Sequence, residues 1–454
     1  TENPLLERNE MKALQKASLI RGASTLFIKP RYVMRTVGSL PRLTSKDEPD
    51  FKTSRDVWDR VDLSLGVATC YSPYSKTKDL RHRRVLPTKQ EDLPPRSMVD
   101  SFDAIYIPLA KNENIRKKYI TFLGGVRVGR LLEDLDIFAV WLGYKYVGMP
   151  KDHVKEGTPY AFVTALVDRI DFNFPALKSD KDIKISGHVS WVGKSSMETR
   201  MYVDQKWDDG QWHPVTKAKF VVVAIDIMTQ KPAVINPLVC ATPLEEQIFQ
   251  KGAANHEMRT KGKKNSLLSN PPTEREREII HDMFLQTVEP KSMNFKIVGK
   301  PPNKVWLDET SLKNVMICHP QNRNISNTIF GGFLMRHACE LAWANAYEYC
   351  RERPTVVHID DIWFRRPVEL GSLLKMHSQV VYTDSPQLLV KVSASVVRPQ
   401  FKTEEKTNHF YFTFQAGDSV PGVMPRSYTD AMQFLDGRRH YLDLKSTSSI
   451  HTWI

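Results

Sequence analysis

The sequence predicts an α+β protein in which one structural unit occurs twice. The first observation is the motif V/I-D-x-I-x-F-x-x-P, which occupies residues 167–175 and again 359–367, 192 residues later. The second is a glycine-opened, mostly apolar segment with helical spacing before each copy, at 128–145 and 331–349. The third is that strand-like runs rich in Val, Ile, Thr and aromatic residues follow each segment. One buried helix with a meander of antiparallel strands is an α+β unit, and two copies indicate a duplication.

Both helix candidates are apolar on more than one side. In the first, apolar residues recur at helical spacing at Val128, Leu131, Leu132, Leu135, Ala139 and Leu142. In the second, the same spacing is seen at Leu334, Met335, Ala338, Leu341, Ala342 and Ala346. Because so few positions are polar, we expect each helix to lie inside its unit with several faces covered.

The strand candidates set the predicted domain boundaries. They are residues 187–193, 196–203 and 219–226 in the first half, and 373–383, 387–397 and 409–416 in the second. Between the halves, residues 241–300 are polar and interrupted by prolines, with one short helix expected after the charged run that begins at Glu274. The predicted organisation is a first domain at 90–240, this linker region, and a second domain at 301–440.

The composition is that of a soluble globular protein, with 41% hydrophobic and 26% charged residues. No apolar run approaches the roughly 18 residues that a membrane-spanning helix needs, so no transmembrane segment is expected. The five cysteines are odd in number and form no CxxC pair, which indicates reduced thiols of an intracellular compartment. His and Cys do not cluster at ligand spacing, so no metal site is expected.

Positive charge is concentrated at the start of the chain. Residues 1–46 contain nine Lys or Arg and three acids, which is +6 of the net charge of +13, and residues 11–46 contain no acid. A basic, acid-free stretch with Ser, Thr and aliphatic residues is typical of a mitochondrial transit peptide, and a disordered basic arm is the alternative. The remaining +7 over a long chain suits an anionic ligand better than a nucleic-acid surface, so no nucleic-acid partner is expected.

Residues 322–343, NRNISNTIFGGFLMRHACELAW, resemble the start of the central helix in hotdog-fold acyl-CoA thioesterases, and residues 127–141 resemble a diverged copy. SGHVSWVGKSSME, LLEDLD, PVELGSLL and FLDGRRH extend the likeness to the mitochondrial double-hotdog acyl-CoA thioesterases. The resemblance implies a tandem (double) hotdog, each a long central helix wrapped by an antiparallel sheet. It implies hydrolysis of acyl-CoA to a carboxylic acid and CoA, a matrix location and a homo-oligomer. No cofactor is implied, because CoA is part of the substrate and product.

The resemblance also implies site residues. In related hotdog thioesterases an Asn lies seven residues before a glycine pair, and an acid lies eight residues after the first glycine. In the second half these positions hold Asn324 and Cys339, and in the first half they hold Thr121 and Asp136. Each half therefore keeps one of the two groups. The expected arrangement is a composite site of Asp136 and Asn324, with Thr121 and Cys339 marking a degenerate one.

The chemistry of thioester hydrolysis fits these residue types. An acid on a mostly apolar helix is partly desolvated, which makes Asp136 a better base for activating water. The amide of Asn324 can hold that water, and the helix N-terminus at Gly331 and Gly332 offers backbone N–H groups to an oxyanion. The alternatives are that Asp136 pairs with a buried Arg or caps a loop, and that Asn324 is an ordinary turn residue.

The phosphates of CoA need cations or N–H groups. Candidates are Lys194, Ser195 and Ser196 in a GKSS turn between two strand candidates, and Arg365 and Arg366 after the second motif. Each could equally be a solvated turn or strand-edge residue. The alternative to an enzyme is a non-hydrolytic acyl-CoA-binding scaffold of the same fold.

Other functional classes have weaker support. A hotdog dehydratase needs a His and an acid in its own motif, which the helix starts lack. A mitochondrial RNA-binding protein needs a basic stripe with stacking aromatic residues. A Ser-His-Asp hydrolase needs a G-x-S-x-G elbow, which is absent from the sequence.

Overall fold

The computed structural model describes residues 86–148, 159–172, 177–261, 267–268, 270–289, 295–324 and 328–448. The basic segment 1–46 lies outside these residues. The described helices are α1 (Met98–Ser101), α2 (Glu113–Tyr119), α3 (Val128–Tyr146), α4 (Pro243–Lys261), α5 (Glu274–Leu285), α6 (Gly331–Cys350) and α7 (Tyr428–Ser448). No helix in these ranges is both long enough and apolar enough to span a membrane.

The described strands are β1 (Asp103–Ile107), β2 (Tyr160–Val167), β3 (Ile170–Asp171), β4 (Ile183–Val192), β5 (Ser196–Lys206), β6 (Trp212–Asp226), β7 (Lys304–Trp306), β8 (Leu312–Ile317), β9 (Thr355–Ile359), β10 (Ile362–Trp363), β11 (Leu373–Asp384), β12 (Gln387–Arg398), β13 (Thr403–Gln415) and β14 (Gly422–Met424). The two predicted central helices, α3 and α6, and the predicted strands are confirmed within one to several residues at their ends.

The chain forms two compact units. Among the described residues, those up to 167 and 177–253 belong to the first unit, and 168–172 and 254–448 belong to the second. The stretch 241–300, predicted as a linker region, contains α4 and α5. The short β3 follows β2 directly in sequence but belongs to the second unit.

The first unit consists of a curved antiparallel sheet around α3. Its strands lie in the order β1-β4-β5-β6-β2, with β4, β5 and β6 forming a continuous meander. Of the 19 residues of α3, 16 are buried, as its apolar composition predicts. Gly143 allows close packing of the helix on the sheet, because an added Cβ would lie 3.3 Å from the Phe162 ring and 3.5 Å from the Met197 sulfur.

The second unit repeats this arrangement around α6. Its strands lie in the order β3-β9-β13-β12-β11-β8, and α6 packs on β11, β12 and β13. A buried hydrogen bond of 2.9 Å from Asn345 Nδ2 to Ser378 Oγ fixes α6 on β11. A long buried helix wrapped by an antiparallel sheet, twice along the chain, is the predicted tandem hotdog, and that fold is confirmed.

The repeat extends to irregular features of the backbone. The pairing of β2 with β6 skips Ala165, and the pairing of β9 with β13 skips Val357, so each strand has a one-residue β-bulge. These two residues are 192 positions apart, which is the offset of the sequence motif. A bulge redirects the side chains next to it. Residues 192 apart near the motif are therefore structural equivalents.

A second helix also packs on each sheet. In the first unit, Gly252 of α4 lies so close to Trp191 that a side chain would not fit there. In the second unit, an added Cβ on Gly437 of α7 would lie 2.7 Å from a methyl group of Val381. In each unit, a glycine thus lets this helix lie close to a strand side chain.

Candidate active site

The residue seven positions before each central helix closes the same backbone turn. In the second unit, Asn324 N–H donates to Thr328 O at 2.7 Å, and Thr328 N–H donates to Asn324 Oδ1 at 3.0 Å. In the first unit, Thr121 N–H donates to Gly125 O at 2.7 Å, and Gly125 N–H donates to Thr121 Oγ1 at 3.0 Å. Thr121 therefore replaces the oxygen acceptor of Asn324 but has no counterpart of its NH₂ group.

The turn at Asn324 leads directly into α6. The helix begins with Gly331 and Gly332, and Phe330 precedes it without a side-chain cap. The first N–H groups of a helix have no acceptor within the helix, so they can bind groups beyond the helix N-terminus. Asn324, Gly331 and Gly332 thus lie on the short stretch of chain that leads into α6. In the first unit the same position of α3 holds Val128.

Asp136 lies in the middle of α3 and is only 1% exposed. Thr164 Oγ1 donates a hydrogen bond of 2.6 Å to Asp136 Oδ1. Thr164 is the β2 residue next to the Ala165 bulge. Thr164 was not predicted from the sequence. The alternation of YAFVTALV, which puts residues 160, 162 and 164 on one face, is the signal that could have indicated it.

The equivalent positions of the second unit are apolar. Cys339 replaces Asp136 on the central helix and is 3% exposed. Val356, 192 residues after Thr164, replaces the threonine and is 5% exposed. Burial raises the pKa of the Cys339 thiol to about 12, so this side chain is a protonated core residue. The second unit has lost both members of the hydrogen-bonded pair.

The other acids near these positions have structural partners. Glu133 forms an ion pair with Arg130, and Asp134 accepts a hydrogen bond of 2.5 Å from the buried Tyr119 hydroxyl.

Glu340 lies one residue after Cys339 on α6. Its carboxylate lies 3.4 Å from Nε of Arg336 in an i, i+4 ion pair. The ring centroid of His337 lies 4.3 Å from that of Phe333 on the same helix.

The GKSS turn of the first unit is shaped by its backbone. Ser195 O accepts from Ala224 N–H at 2.8 Å, Ser196 O accepts from Gly193 N–H at 2.8 Å, and Lys194 O accepts from Ile235 N–H at 3.2 Å. The Lys194 side chain is exposed, and both serines are half-buried. The turn is thus held by main-chain bonds, which leaves the Lys194 ammonium in solvent. Its proposed contact with CoA phosphates stays a prediction.

The two predicted arginines have different surroundings. Arg366 lies 3.4 Å from Glu405 in an exposed ion pair. Arg365 is exposed and lies near His409, whose pKa it helps to lower. Their proposed role in CoA binding also stays a prediction. Within the described residues, no group of three or more His, Cys, Asp or Glu side chains is arranged to hold a metal ion.

Comparison with known proteins defines the class. Residues 326–394 match the Thioesterase superfamily. The chain is 43% identical over 394 residues to acyl-coenzyme A thioesterase 9, mitochondrial, of Bos taurus, covering 86% of this chain and 89% of that protein. It is 32% identical to acyl-coenzyme A thioesterase 4, mitochondrial, of Humulus lupulus, covering 77% and 68%. An acyl-ACP thioesterase structure from Bacteroides thetaiotaomicron is 13% identical with a TM-score of 0.39, covering 69% and 98%.

The fold and the similar sequences together define a hotdog thioesterase. The chain belongs to the acyl-coenzyme A thioesterase family, with mitochondrial members from several mammals at 41–43% identity. The predicted enzyme class and the predicted mitochondrial location are therefore confirmed.

Proposed function

We propose that the chain hydrolyses acyl-CoA thioesters at a composite site, with Asp136 supplied by the first unit and Asn324 by the second. The observation that carries the proposal is the complementary loss in the repeat. The Asp136–Thr164 pair of one unit corresponds to the apolar Cys339 and Val356 of the other. Each unit has kept one group that the chemistry needs and replaced the other with a residue that preserves the fold.

Asp136 would act as the general base. Its carboxylate takes a proton from water as the water oxygen attacks the thioester carbonyl carbon. The Thr164 hydrogen bond at 2.6 Å fixes the rotamer of this carboxylate. A positioned base of this kind contributes about 10²–10⁴ in rate.

The start of α6 would stabilise the oxyanion. Its first N–H groups donate to the carbonyl oxygen as negative charge develops, and the absence of Cβ atoms at Gly331 and Gly332 lets the thioester approach the backbone. The Oδ1 of Asn324 closes the turn at 3.0 Å, so the Nδ2 group is the part of this side chain that can orient water. Collapse of the tetrahedral intermediate breaks the C–S bond, and the proton passes from Asp136 to the CoA thiolate.

CoA contacts complete the proposal. Lys194, Ser195 and Ser196 would meet phosphates in the first unit, and Arg365 and Arg366 would do so in the second. No cofactor is needed, because water and the thioester are the reactants. The family resemblance also favours a homo-oligomer.

The test compares kcat and KM for four variants on one good acyl-CoA substrate, with release of free thiol as the readout. Asp136→Asn keeps the side-chain shape, so kcat should fall about 10²-fold or more with little change in KM. Asn324→Ala should act similarly. The matched controls Cys339→Ala and Thr121→Ala should keep most activity.

The composite-site proposal is wrong if Asp136→Asn keeps the wild-type kcat, or if Cys339→Ala folds but loses its kcat. A protein that binds acyl-CoA but hydrolyses none of a range of chain lengths would instead be the scaffold with the same fold.

A further inference from the structure

One face of the second sheet carries a row of polar side chains across four strands. Lys313 of β8 pairs in register with His377 of β11, His377 pairs with Ser393 of β12, and Ser393 pairs with His409 of β13. Directly opposed side chains on one face stand about 5 Å apart. Ser393 Oγ lies 3.1 Å from His409 Nδ1, so the row includes a direct hydrogen bond.

The row lies on the side of the sheet that α7 partly covers. Lys391, two residues before Ser393, pairs with Asp436 of α7 at 2.9 Å. Val392 and Ala394, which flank Ser393 in sequence, are fully buried. Because side chains of a strand alternate between faces, Lys391 and Ser393 share the outer face.

Positive charge collects around this row. Lys406 faces Ser395 in the next register position, and Arg365 lies close enough to His409 to act on it electrostatically. We call Lys313, Arg365, His377, Ser393, Lys406 and His409 the basic sheet face. Its three cationic side chains are all exposed. Within the described part of the chain, none of these three has a carboxylate partner at ion-pair distance.

The acids nearest to this face already have partners. Glu404 lies 2.8 Å from Lys375 Nζ and accepts from Ser395 Oγ at 2.6 Å. Asp436 is held by Lys391 and by the Tyr411 hydroxyl at 2.6 Å. Glu404 and Asp436 are thus held by lysines outside this face, Lys375 and Lys391.

Both histidines are neutral near pH 7. Burial lowers the pKa of His409 to about 4, and the charges of Lys391, Arg365 and Lys406 add to this effect against the opposing charge of Asp436. Burial and Lys313 also lower the pKa of His377. When the Ser393 hydroxyl donates to Nδ1, a neutral His409 carries its proton on Nε2, where it can donate to a ligand.

We propose that the basic sheet face binds a phosphate group, with Arg365 and Lys406 supplying charge and His409 supplying a hydrogen-bond donor. The chemistry is shared by a soluble phosphate ligand and a phospholipid headgroup, and the experiment separates them. Arg365 is also one of the proposed CoA contacts, so the two proposals share this side chain, but phosphate binding here does not depend on hydrolysis at Asp136 and Asn324.

The experiment records ¹³C–¹H spectra of histidine-labelled full-length chain during pH titration, with and without inorganic phosphate. His377→Gln and His409→Gln assign the two signals. Bound phosphate stabilises the protonated rings, so both midpoints should move to higher pH. Lys406→Gln should weaken phosphate binding about tenfold. Lys231→Gln, which removes an exposed charge from the first unit, is the matched control.

A second arm measures co-sedimentation with vesicles of phosphatidylglycerol and of phosphatidylcholine. The ligand is a lipid headgroup if the protein sediments with anionic vesicles, Lys406→Gln reduces this sedimentation, and inorganic phosphate binds weakly. A response to inorganic phosphate without vesicle binding assigns a soluble ligand.

Asp136→Asn should respond like the wild type in both arms, which separates this proposal from the hydrolytic one. Unmoved histidine midpoints together with equal sedimentation of wild type and Lys406→Gln would overturn the phosphate site.

Discussion

Thr164 Oγ1 lies 2.6 Å from Asp136 Oδ1 and joins strand β2 to the buried carboxylate of the central helix. The same backbone bulge in the second unit stands beside Val356, and the corresponding helix position holds Cys339. Polar and apolar pairs thus occupy equivalent sites of one repeated fold. The hydrogen bond is therefore not required by the hotdog architecture, which suggests that it is kept for the carboxylate.

Replacing Thr164 should impair catalysis more than folding. Thr164→Val removes the hydrogen bond but keeps the shape, and a hydrogen bond to a charged group contributes about 1.5–3 kcal/mol. We expect kcat to fall about tenfold or more, while Thr164→Ser should retain most activity. Val356→Thr, the equivalent change in the second unit, is the control and should leave kcat unchanged. Equal kcat for Thr164→Val and wild type would show that the bond does not position Asp136.

Asn324→Thr should separate the structural from the chemical role of this side chain. Threonine closes the equivalent turn at Thr121, so the variant should keep the melting temperature within a few degrees. It lacks the amide NH₂ group, so kcat should fall as far as in Asn324→Ala. Thermal unfolding and steady-state turnover of both variants check this. An active Asn324→Thr would restrict Asn324 to turn closure.

The anchoring of α7 should weaken at alkaline pH. Burial and the charge of Lys391 lower the pKa of His440. The hydrogen bond and charge of Asp360 and the charge of Asp436 outweigh them, so the pKa lies above its ordinary value of 6.5. The ring also stacks on Tyr411 with centroids 3.9 Å apart. A group whose pKa is raised by folding stabilises the folded state fully at pH values below its pKa in the unfolded chain. This contribution is lost as the pH rises through its pKa in the folded state.

The test for α7 is the melting temperature of wild type and His440→Gln from pH 6 to 9. The difference between them should be largest near pH 6 and shrink toward pH 9. His281→Gln removes an exposed histidine and should follow the wild type throughout. A difference that is constant with pH would contradict a charged His440–Asp360 pair.

The contact of α5 with α7 should fail in acid. Both carboxylate oxygens of Glu276 accept hydrogen bonds of 2.7 Å from Arg439. These bonds, with those from Thr273, lower the pKa of Glu276 to about 2. This contribution is present above the unfolded pKa of about 4.5 and lost as pH falls toward 2. Arg439→Met should cost about 1–2 kcal/mol at pH 7 and almost nothing near pH 2. Urea unfolding at both pH values measures it, and Arg277→Met, from an exposed pair with Glu274, should cost little.

Sequence periodicity determined the positions of the central helices and most strands. The helical spacing of apolar residues in α3 and α6 reflects burial on several sides, which a linear pattern records directly. The 192-residue repeat also located the duplicated unit, because equivalent strands keep the same motif. The resemblance to hotdog thioesterases, applied by spacing from the glycine pair, implied Asp136 and Asn324 as the residues kept by each half.

Other features depended on tertiary structure. Thr164 is 28 residues from Asp136, and the packing of α3 on β2 brings the hydroxyl to the carboxylate. The turn-closing role shared by Thr121 and Asn324 is a matter of backbone geometry, which two unlike side chains can satisfy. The basic sheet face joins four strands whose register fixes which side chains meet. Periodicity reports which face of a strand is buried, but cross-strand neighbours are set by pairing and bulges that a single sequence does not encode locally.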